Sequence, residues 1–309
     1  MIEPKINEHK AASQSRIKII QTSGEQIASQ ISVKPEYAEA ASHIYSRRII
    51  REQLNIDKIG RIAADQLRLE PYVADTLDAD PEKEVPNVDV DWLNTFEKEA
   101  GQKSTEEMQL LFGKILAGQI KKPGSFSIKA LKTISELEPS IAKSFKILCS
   151  LAVSLNVVGG STADVRVPAN NSAGDNELRA YGLPFSTLNA LAEYNLISGN
   201  FDTYAHYGHA IDRHQGMIYL GFQGEKYILV PDGSDADTTE STVISVTPVG
   251  AKISTTINKQ VKLRGVLFSQ VGRELLSIVD IEKNEAYKNY LTKYIKSFGF
   301  NLTKIDSKQ

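Results

Sequence analysis

The segment 91–127, DWLNTFEKEAGQKSTEEMQLLFGKILAGQIKKPGSFS, constrains the fold of this chain more than any other stretch. It predicts a helix that begins at Asp91 and contains Trp92 and Phe96, then a second helix, a stop at Pro123-Gly124 and a new helix start. Between the first two helices, Ser104-Thr105-Glu106-Glu107 has the form of a capping box, in which the Ser104 hydroxyl accepts from the Glu107 amide. Helix signals spaced this closely predict a compact helical bundle.

Long helices are predicted before this segment. Apolar residues recur at helical spacing over residues 8–31, and Pro35 separates that helix from a longer one over 36–69. The longer helix has an apolar stripe made of Ala40, Ile44, Ile49 or Ile50, Ile56, Ile59, Ile62, Ala63 and Leu67. At 1.5 Å per residue it spans roughly 50 Å. A helix of this length is expected to bridge, to pair with another helix or to join a partner chain.

An acidic linker separates the long helices from the bundle. Residues 76–101 contain two basic and eight acidic residues, giving a net charge of −6, while the whole chain has a net charge of −2. Prolines interrupt its first part, residues 76–90, and oppose regular structure there. No segment has the strong positive charge expected of a nucleic-acid-binding protein.

The second half of the chain has a different residue pattern, in which predicted strands and loops alternate with helices. A helix is predicted from Ile141 to Leu155, and the Gly- and Asn-rich residues after it indicate a loop with one strand. A helix over 185–197 is followed by a predicted hairpin formed by Met217–Phe222 and Lys226–Val230, then by a strand over 243–249 and a weaker one over 261–268. Two helices, over 272–280 and 285–298, complete the chain. A helix followed by a hairpin is typical of a winged-helix core.

The predicted fold class is mainly α with an α+β C-terminal part. We divide the chain into long N-terminal helices in residues 1–75, an acidic linker in 76–90, a helical bundle in 91–157 and a winged-helix-like α+β domain in 158–309.

The sequence lacks the motifs of several kinds of catalytic and binding site. The sequence has no Gly-rich phosphate loop and no nucleophile elbow, and its single cysteine, Cys149, lies in an apolar helix where we expect it to fill the core. No apolar run reaches the ~20 residues of a membrane span, and the N-terminus lacks the apolar region of a signal peptide. We therefore expect residence in the cytoplasm and no membrane contact, and we predict no catalytic residue and no cofactor.

One histidine cluster is a candidate metal site. His206, His209 and His214 lie within nine residues, flanked by Asp202 and Asp212. A helical spacing would place His206 and His209 on one side, as metal ligation requires. Gly208 and the neighbouring tyrosines instead favour an irregular surface loop, so both interpretations stay open.

A group of lysines is a candidate basic patch, made of Lys114, Lys121, Lys122, Lys129 and Lys132. A solvated helix face explains it, and the alternative is an anionic partner, such as nucleic acid or the chain's own acidic linker. The predicted helix 185–197 opposes DNA contact, because it has no lysine or arginine and one glutamate.

Three segments together resemble a family of uncharacterised bacterial proteins that is defined as a domain of unknown function. They are Arg51–Ile56, the block of the EEMQxLxGKILAGQIKKPGSFS type, and GVLFSQVGRELLSIVD near the C-terminus. The resemblance covers roughly residues 40–300 and implies a multi-helix protein with a winged-helix-like C-terminal part. The layout also resembles abortive-infection proteins of phage defence.

These observations predict a non-enzymatic, cytoplasmic interaction or assembly protein. Its N-terminal helices would bind a protein partner or a second copy, and a role in phage defence is a further expectation. Two alternatives stay open: a winged-helix protein that binds nucleic acid, and a metal-dependent enzyme that uses His206, His209 and His214.

Overall fold

A computed structural model describes residues 35–69, 88–157, 162–170, 175–206, 218–232, 238–247, 250–259 and 262–305, together with Lys18, Thr22 and Gln26. Its contacts divide the chain into two compact units, Met1–Ser135 and Glu136–Gln309. Of the predicted helix 8–31, the three isolated residues are helical, and the rest lies outside the described residues. Most of the predicted acidic linker lies outside them as well. The four-segment division therefore stays a prediction.

The described part of the first unit is helical. Helix α1 is Pro35–Leu69, α2 is Val90–Gly101, α3 is Glu106–Lys121 and α4 is Ile128–Glu136. The long helix was predicted to within one residue at its start and at its end. Its stripe is buried only from Asn55 onward, where Ile59 and Ala63 lie in the core. The aromatic centre of this core is a row in which Trp92 stacks on Phe96 at 5.2 Å and Phe96 contacts Phe112 at 5.7 Å.

Two predicted helix starts are wrong by one or two residues. Helix α2 is capped by Asp89, whose carboxylate accepts from the Trp92 amide at 2.8 Å, and not by Asp91. Helix α3 is capped by Thr105, whose hydroxyl accepts from the Met108 amide. The Ser104 hydroxyl instead accepts from Asn55 of α1 at 3.3 Å, so a tertiary contact displaces the predicted capping box.

The second unit contains helix and sheet. Its helices are α5 (Pro139–Ser150), α6 (Phe185–Glu193), α7 (Gln270–Leu276) and α8 (Glu285–Lys296), with a 3₁₀ turn at Glu177–Tyr181. Its strands are β1 (Val153–Val157), β2 (Thr162–Pro168), β3 (Thr203–His206), β4 (Ile218–Phe222), β5 (Glu225–Pro231), β6 (Thr238–Thr247), β7 (Gly250–Lys259), β8 (Lys262–Leu267) and β9 (Phe300–Lys304).

Seven of these strands form one antiparallel sheet in the order β3-β8-β2-β1-β4-β5-β9, and β6 pairs with β7 in a separate ribbon. Asp164, Val165, Arg166 and Val167 follow one another on β2 and are all buried. Since successive strand residues point to opposite faces, both faces of the sheet are covered at β2. The chain is therefore a mixed α/β protein, and the predicted combination of helices with an α+β C-terminal part is confirmed in this broad form.

Two features of this unit differ from the sequence prediction. Leu155 was assigned to a helix, but it lies in β1 between Asp164 and Leu220 of the adjoining strands. The hairpin predicted as a wing exists as β4 and β5, yet β1 and β9 pair with its outer edges. A hairpin enclosed in a sheet on both sides is not a projecting wing, so the winged-helix-like arrangement is not confirmed.

Candidate interaction surface

The N-terminal third of α1 exposes apolar side chains. Tyr37 is 64% exposed and Ile44 is 72% exposed, and Ala40 and Ala41 are also exposed. These four residues recur at intervals of three and four, so they lie along one side of the helix. We call this set the apolar α1 face. Ala40 and Ile44 belong to the apolar stripe that the sequence predicts along this helix.

The same helix is tightly packed further along. Ile59 and Ala63 are fully or almost fully buried. Gly113 of α3 approaches Ile62 so closely that a Cβ at position 113 would lie 2.4 Å from Ile62 Cγ2. The packed part of α1 begins at Asn55, whose side-chain amide donates to Gly101 O at 2.7 Å. Only the part of α1 before this contact has a row of large exposed apolar residues on one side.

Three arginines follow the apolar α1 face. Arg47, Arg48 and Arg51 are exposed. The Arg48 guanidinium lies 5.2 Å from the centre of the Tyr45 ring and its Nε lies 3.7 Å from Glu52 Oε1. Arg51 is seven residues after Ile44 and fourteen after Tyr37, so it extends the same side of the helix. The surface thus combines an apolar half with a basic half.

The buried Arg166 has a structural role. Its Nε donates to Asp164 at 2.7 Å, its Nη2 pairs with the same carboxylate, and its Nη1 donates to Leu263 O at 2.6 Å and Thr203 O at 3.1 Å. All three guanidinium nitrogens are engaged inside the chain. The pair therefore fixes β2 against β3 and β8, and it offers no nitrogen to a substrate.

A row of tyrosines on α8 packs against the sheet. Tyr287 is fully buried and its hydroxyl donates to Pro168 O at 2.7 Å, while the Tyr294 hydroxyl accepts from the Arg264 amide at 3.0 Å. The Tyr290 hydroxyl donates to Glu177. Burial raises the pKa of all three tyrosines above their ordinary value, and Glu177 adds to the shift at Tyr290. These phenols stay protonated and act as packing groups.

Glu225, in the second unit, is surrounded by cations. It accepts from the Tyr227 hydroxyl at 2.6 Å, and Lys304 and Lys283 lie at 3.0 and 3.2 Å. Lys288 lies at 3.9 Å. The hydrogen bond from Tyr227, followed by those from Lys304 and Lys283, lowers the pKa of Glu225 to about 2. This carboxylate fixes the start of β5 to β9 and to the residues before α8.

The candidate metal site is only partly described. His206 is the last residue of β3, and its backbone pairs with Lys262, whereas His209 and His214 lie outside the described residues. The part of the chain that the structure describes holds no group of three or more metal-ligating side chains. The histidine cluster therefore stays a prediction.

The other candidates have plain structural explanations. Cys149 is buried, and burial raises the pKa of its thiol, as expected for a core residue rather than a nucleophile. Lys122, Lys129 and Lys132 are exposed, in keeping with a solvated helix face. Within the described residues, no helix is long and apolar enough to cross a membrane.

Comparison with known proteins gives one match. A family model described as a protein of unknown function (DUF2806) matches residues 41–292, and the chain belongs to this family. Neither the curated proteins nor the solved structures contain a match. The predicted resemblance to an uncharacterised family is thus confirmed in its broad form, and nothing in these comparisons bears on phage defence.

Proposed function

We propose that the chain is a non-enzymatic assembly protein that associates through the N-terminal part of α1. The exposure of the apolar α1 face is the observation that supports this function. A tyrosine and an isoleucine that are each more than 60% exposed, seven residues apart on one helix side, leave a continuous apolar strip in water. Covering such a strip with another helix is favourable by roughly 25 cal/mol for each square ångström removed from water.

The polar clusters of the second unit support the same proposal. The nitrogens of Arg166, the hydroxyls of the α8 tyrosines and the carboxylate of Glu225 all bond within the chain. Each of them stabilises the fold, and none is held ready for a reaction. Residence in the cytoplasm belongs to the proposal, because a chain with a single cysteine forms no internal disulfide.

The two alternative functions stay predictions. Helix α6 has no basic residue, which is poor chemistry for phosphate contact, and the hairpin of the supposed wing is enclosed in the sheet. Two of the three histidines lie outside the described residues. No observation favours either function over assembly.

The molar mass in solution tests the proposal. Light scattering over a range of micromolar concentrations should give a mass that rises above the 34.1 kDa of one chain. Ile44→Glu should shift this rise to at least tenfold higher concentration, because a buried charge opposes association. Leu69→Glu is the matched control, since Leu69 is 74% exposed on the same helix but outside the apolar α1 face. A mass of one chain at every concentration would overturn the proposal.

A further inference from the structure

One edge of the seven-stranded sheet is formed by β9. This strand pairs with β5 along one side, and no described strand pairs with its other side. The Ile305 amide donates to Lys226 O, and the Asp232 amide donates to Gly299 O. Because backbone groups alternate in direction along an antiparallel strand, the odd-numbered residues of β9 face β5. The N–H and C=O groups that face the open side belong to Phe300, Leu302 and Lys304.

This edge lacks the features that usually keep a sheet edge from pairing. Such features are a proline, a bulge or an unpaired charge on the edge strand. The sequence of β9, FNLTK, contains no proline, and its register with β5 is continuous. Its one charged residue is Lys304, whose ammonium lies 3.0 Å from Glu225 Oε1 of the same chain. The open edge is therefore competent to accept another strand.

We propose that the open edge of β9 pairs antiparallel with the same edge of a second copy of this chain, with Leu302 at the two-fold axis. Residue 300 of each copy then lies opposite residue 304 of the other. This register engages all three outward-facing residues of each copy, whereas a shift by two residues would leave one of them outside the ladder. Each copy contributes the same edge, as a two-fold interface requires. The pairing goes beyond the proposed function, because it does not involve the apolar α1 face.

The side chains of β9 are complementary to their own copies in this register. Asn301 and Thr303 are exposed and uncharged, and each lies opposite the other type in the second copy, where polar pairs of this kind are favourable. Leu302 is half-buried, and its own copy covers the part that remains in water. Lys304 lies opposite Phe300 of the second copy, so no like charges face each other.

Charge also sets the direction of the pair. Lys283 lies 3.2 Å and Lys288 lies 3.9 Å from the Glu225 carboxylate that Lys304 contacts. Three lysines around one glutamate give this end of β9 a net positive charge. A parallel pair would place the two positive ends side by side, which is unfavourable. The antiparallel pair separates the two Lys304 positions by four residues, or about 13 Å along the strands.

The length of β9 sets the strength of the pair. Phe300–Lys304 has five residues, and three of them direct backbone groups to the open side. A ladder of this length covers less surface than a standard protein–protein interface, so the dimer should be weak and reversible. Two strands paired only with each other are marginally stable in water, but each β9 is already held by β5 before the copies meet.

A proline at position 302 tests the pairing. The N–H of Leu302 faces the open side, so Leu302→Pro removes a donor at the axis and none of the hydrogen bonds to β5. Leu302→Ala is the matched control, because it shortens the same side chain and keeps the N–H. Both changes are made in the full chain with Ile44→Glu, which suppresses association through the apolar α1 face. The proline variant should dimerise at least tenfold more weakly than the alanine variant.

Light scattering over a hundredfold range of concentration gives the result, and circular dichroism verifies that each variant is folded. Equal dimerisation of the proline and alanine variants would overturn the pairing. So would an Ile44→Glu chain that stays monomeric throughout, which would leave the edge to a strand of another protein. Failure of the proposed function is distinct from both results, because it would appear as an Ile44→Glu chain that associates as strongly as the unchanged chain.

Disulfide trapping determines the register independently of the proline variant. Asn301→Cys and Thr303→Cys, introduced in separate copies and mixed, should cross-link, because the two positions are directly opposite with Cα atoms about 4.5 Å apart. Thr303→Cys alone should cross-link at least tenfold more slowly, since its two copies are diagonal neighbours about 7–8 Å apart. Faster cross-linking of Thr303→Cys to itself than in the mixture would contradict the register. The native Cys149 is buried and gives little background.

Discussion

Gly113 of α3 lies directly against Ile62 of α1, and this contact sets how closely the two helices approach. A Cβ built at position 113 would be 2.4 Å from Ile62 Cγ2 and 2.8 Å from Ile62 Cβ. Both distances are far below van der Waals contact, and the branched Ile62 side chain has few ways to move aside. The glycine in the sequence LLFGKIL is therefore a packing requirement of the helical unit.

Replacing this glycine should destabilise the protein. For Gly113→Ala we expect a loss of about 1–3 kcal/mol in the free energy of unfolding, because the added methyl overpacks a close helix crossing. Urea unfolding followed by the fluorescence of Trp92 measures it, since Trp92 is the single tryptophan and is buried in the same core. A loss below about 0.5 kcal/mol would contradict the role of Gly113.

Gly60 provides the control on the facing helix. It lies within α1, and a Cβ there would meet no atom within 4 Å. Gly60→Ala should stabilise the protein by about 0.5–1 kcal/mol, because alanine is the better helix former. The two substitutions are chemically identical, so their opposite signs would isolate the effect of packing from that of helix propensity.

Asn55 provides a second test of the helical unit. Its Nδ2 donates to Gly101 O at 2.7 Å, and its Oδ1 accepts from Gln109 Nε2 at 3.1 Å. Asn55→Ala should cost about 2–3 kcal/mol, because it leaves a buried carbonyl and a buried amide with fewer partners. The same urea titration measures this loss.

Gln53 is the matched control for Asn55. Its amide donates to Asp57 one turn further along α1, at a partly exposed position. Gln53→Ala should therefore change the free energy of unfolding by no more than about 0.5 kcal/mol. If both substitutions had the same effect, the network between Asn55 and Gln109 would not be the source of the stability.

The sequence predicts local features of this fold well. The helix Pro35–Leu69 was found because proline marks its start and apolar residues recur along it. The strand Lys262–Leu267 was found from its β-branched and apolar residues. Where a predicted helix start is wrong, as at Ser104, the serine hydroxyl instead accepts a hydrogen bond from Asn55, which is 49 residues earlier in the chain. Contacts of that range leave no local pattern in the sequence.

Strands that depend on distant partners were missed for the same reason. The strand Phe300–Lys304 pairs with β5, 69 to 77 residues earlier in the chain, and its five residues are too short a run to mark a strand on their own. The position of Leu155 fits the apolar spacing of the preceding helix as well as it fits a strand. Only its pairing with Leu220 shows that it belongs to a strand. Periodicity alone does not separate these cases.

The candidate surface was predicted in location but not in detail. The length of α1 indicated a role in association, but the spacing of its apolar residues did not show which part of the stripe is buried. The structure divides that stripe into a buried part at Ile59 and an exposed part at Ile44. Exposure depends on which helices end nearby, and the sequence of α1 does not contain that information.

The acid stability of the protein should depend on Glu225. Hydrogen bonds lower its pKa from 4.5 to about 2, so the folded protein holds fewer protons than the unfolded chain between these values. Its contribution is therefore fully present above pH 4.5 and is lost as the pH falls to about 2. In thermal melts across this range, Glu225→Gln should lower the melting temperature at pH 6 and converge with the unchanged chain near pH 2. A constant difference at all pH values would contradict this linkage.

Tyr227 should control the position of that acid transition. Its hydroxyl makes the largest contribution to the lowered pKa of Glu225. Tyr227→Phe removes one donor and leaves Lys304 and Lys283 in place, so the pKa of Glu225 should rise toward 4.5. The loss of stability should then be smaller and should be complete at a higher pH than in the unchanged chain. The pH midpoint of the change in melting temperature measures this shift. An unchanged midpoint would show that the lysines alone hold the carboxylate ionised.

The buried tyrosines predict the behaviour of the protein in alkali. Burial raises the pKa of Tyr287, Tyr290 and Tyr294 above the ordinary value of 10, so the folded state keeps protons that the unfolded chain loses. Their stabilisation is complete below pH 10 and diminishes as the pH rises above it. Ultraviolet titration should therefore show exposed tyrosines ionising first and these three ionising only together with the loss of helical circular dichroism. A single smooth titration near pH 10 in a protein that stays folded would show that the row on α8 is accessible to water.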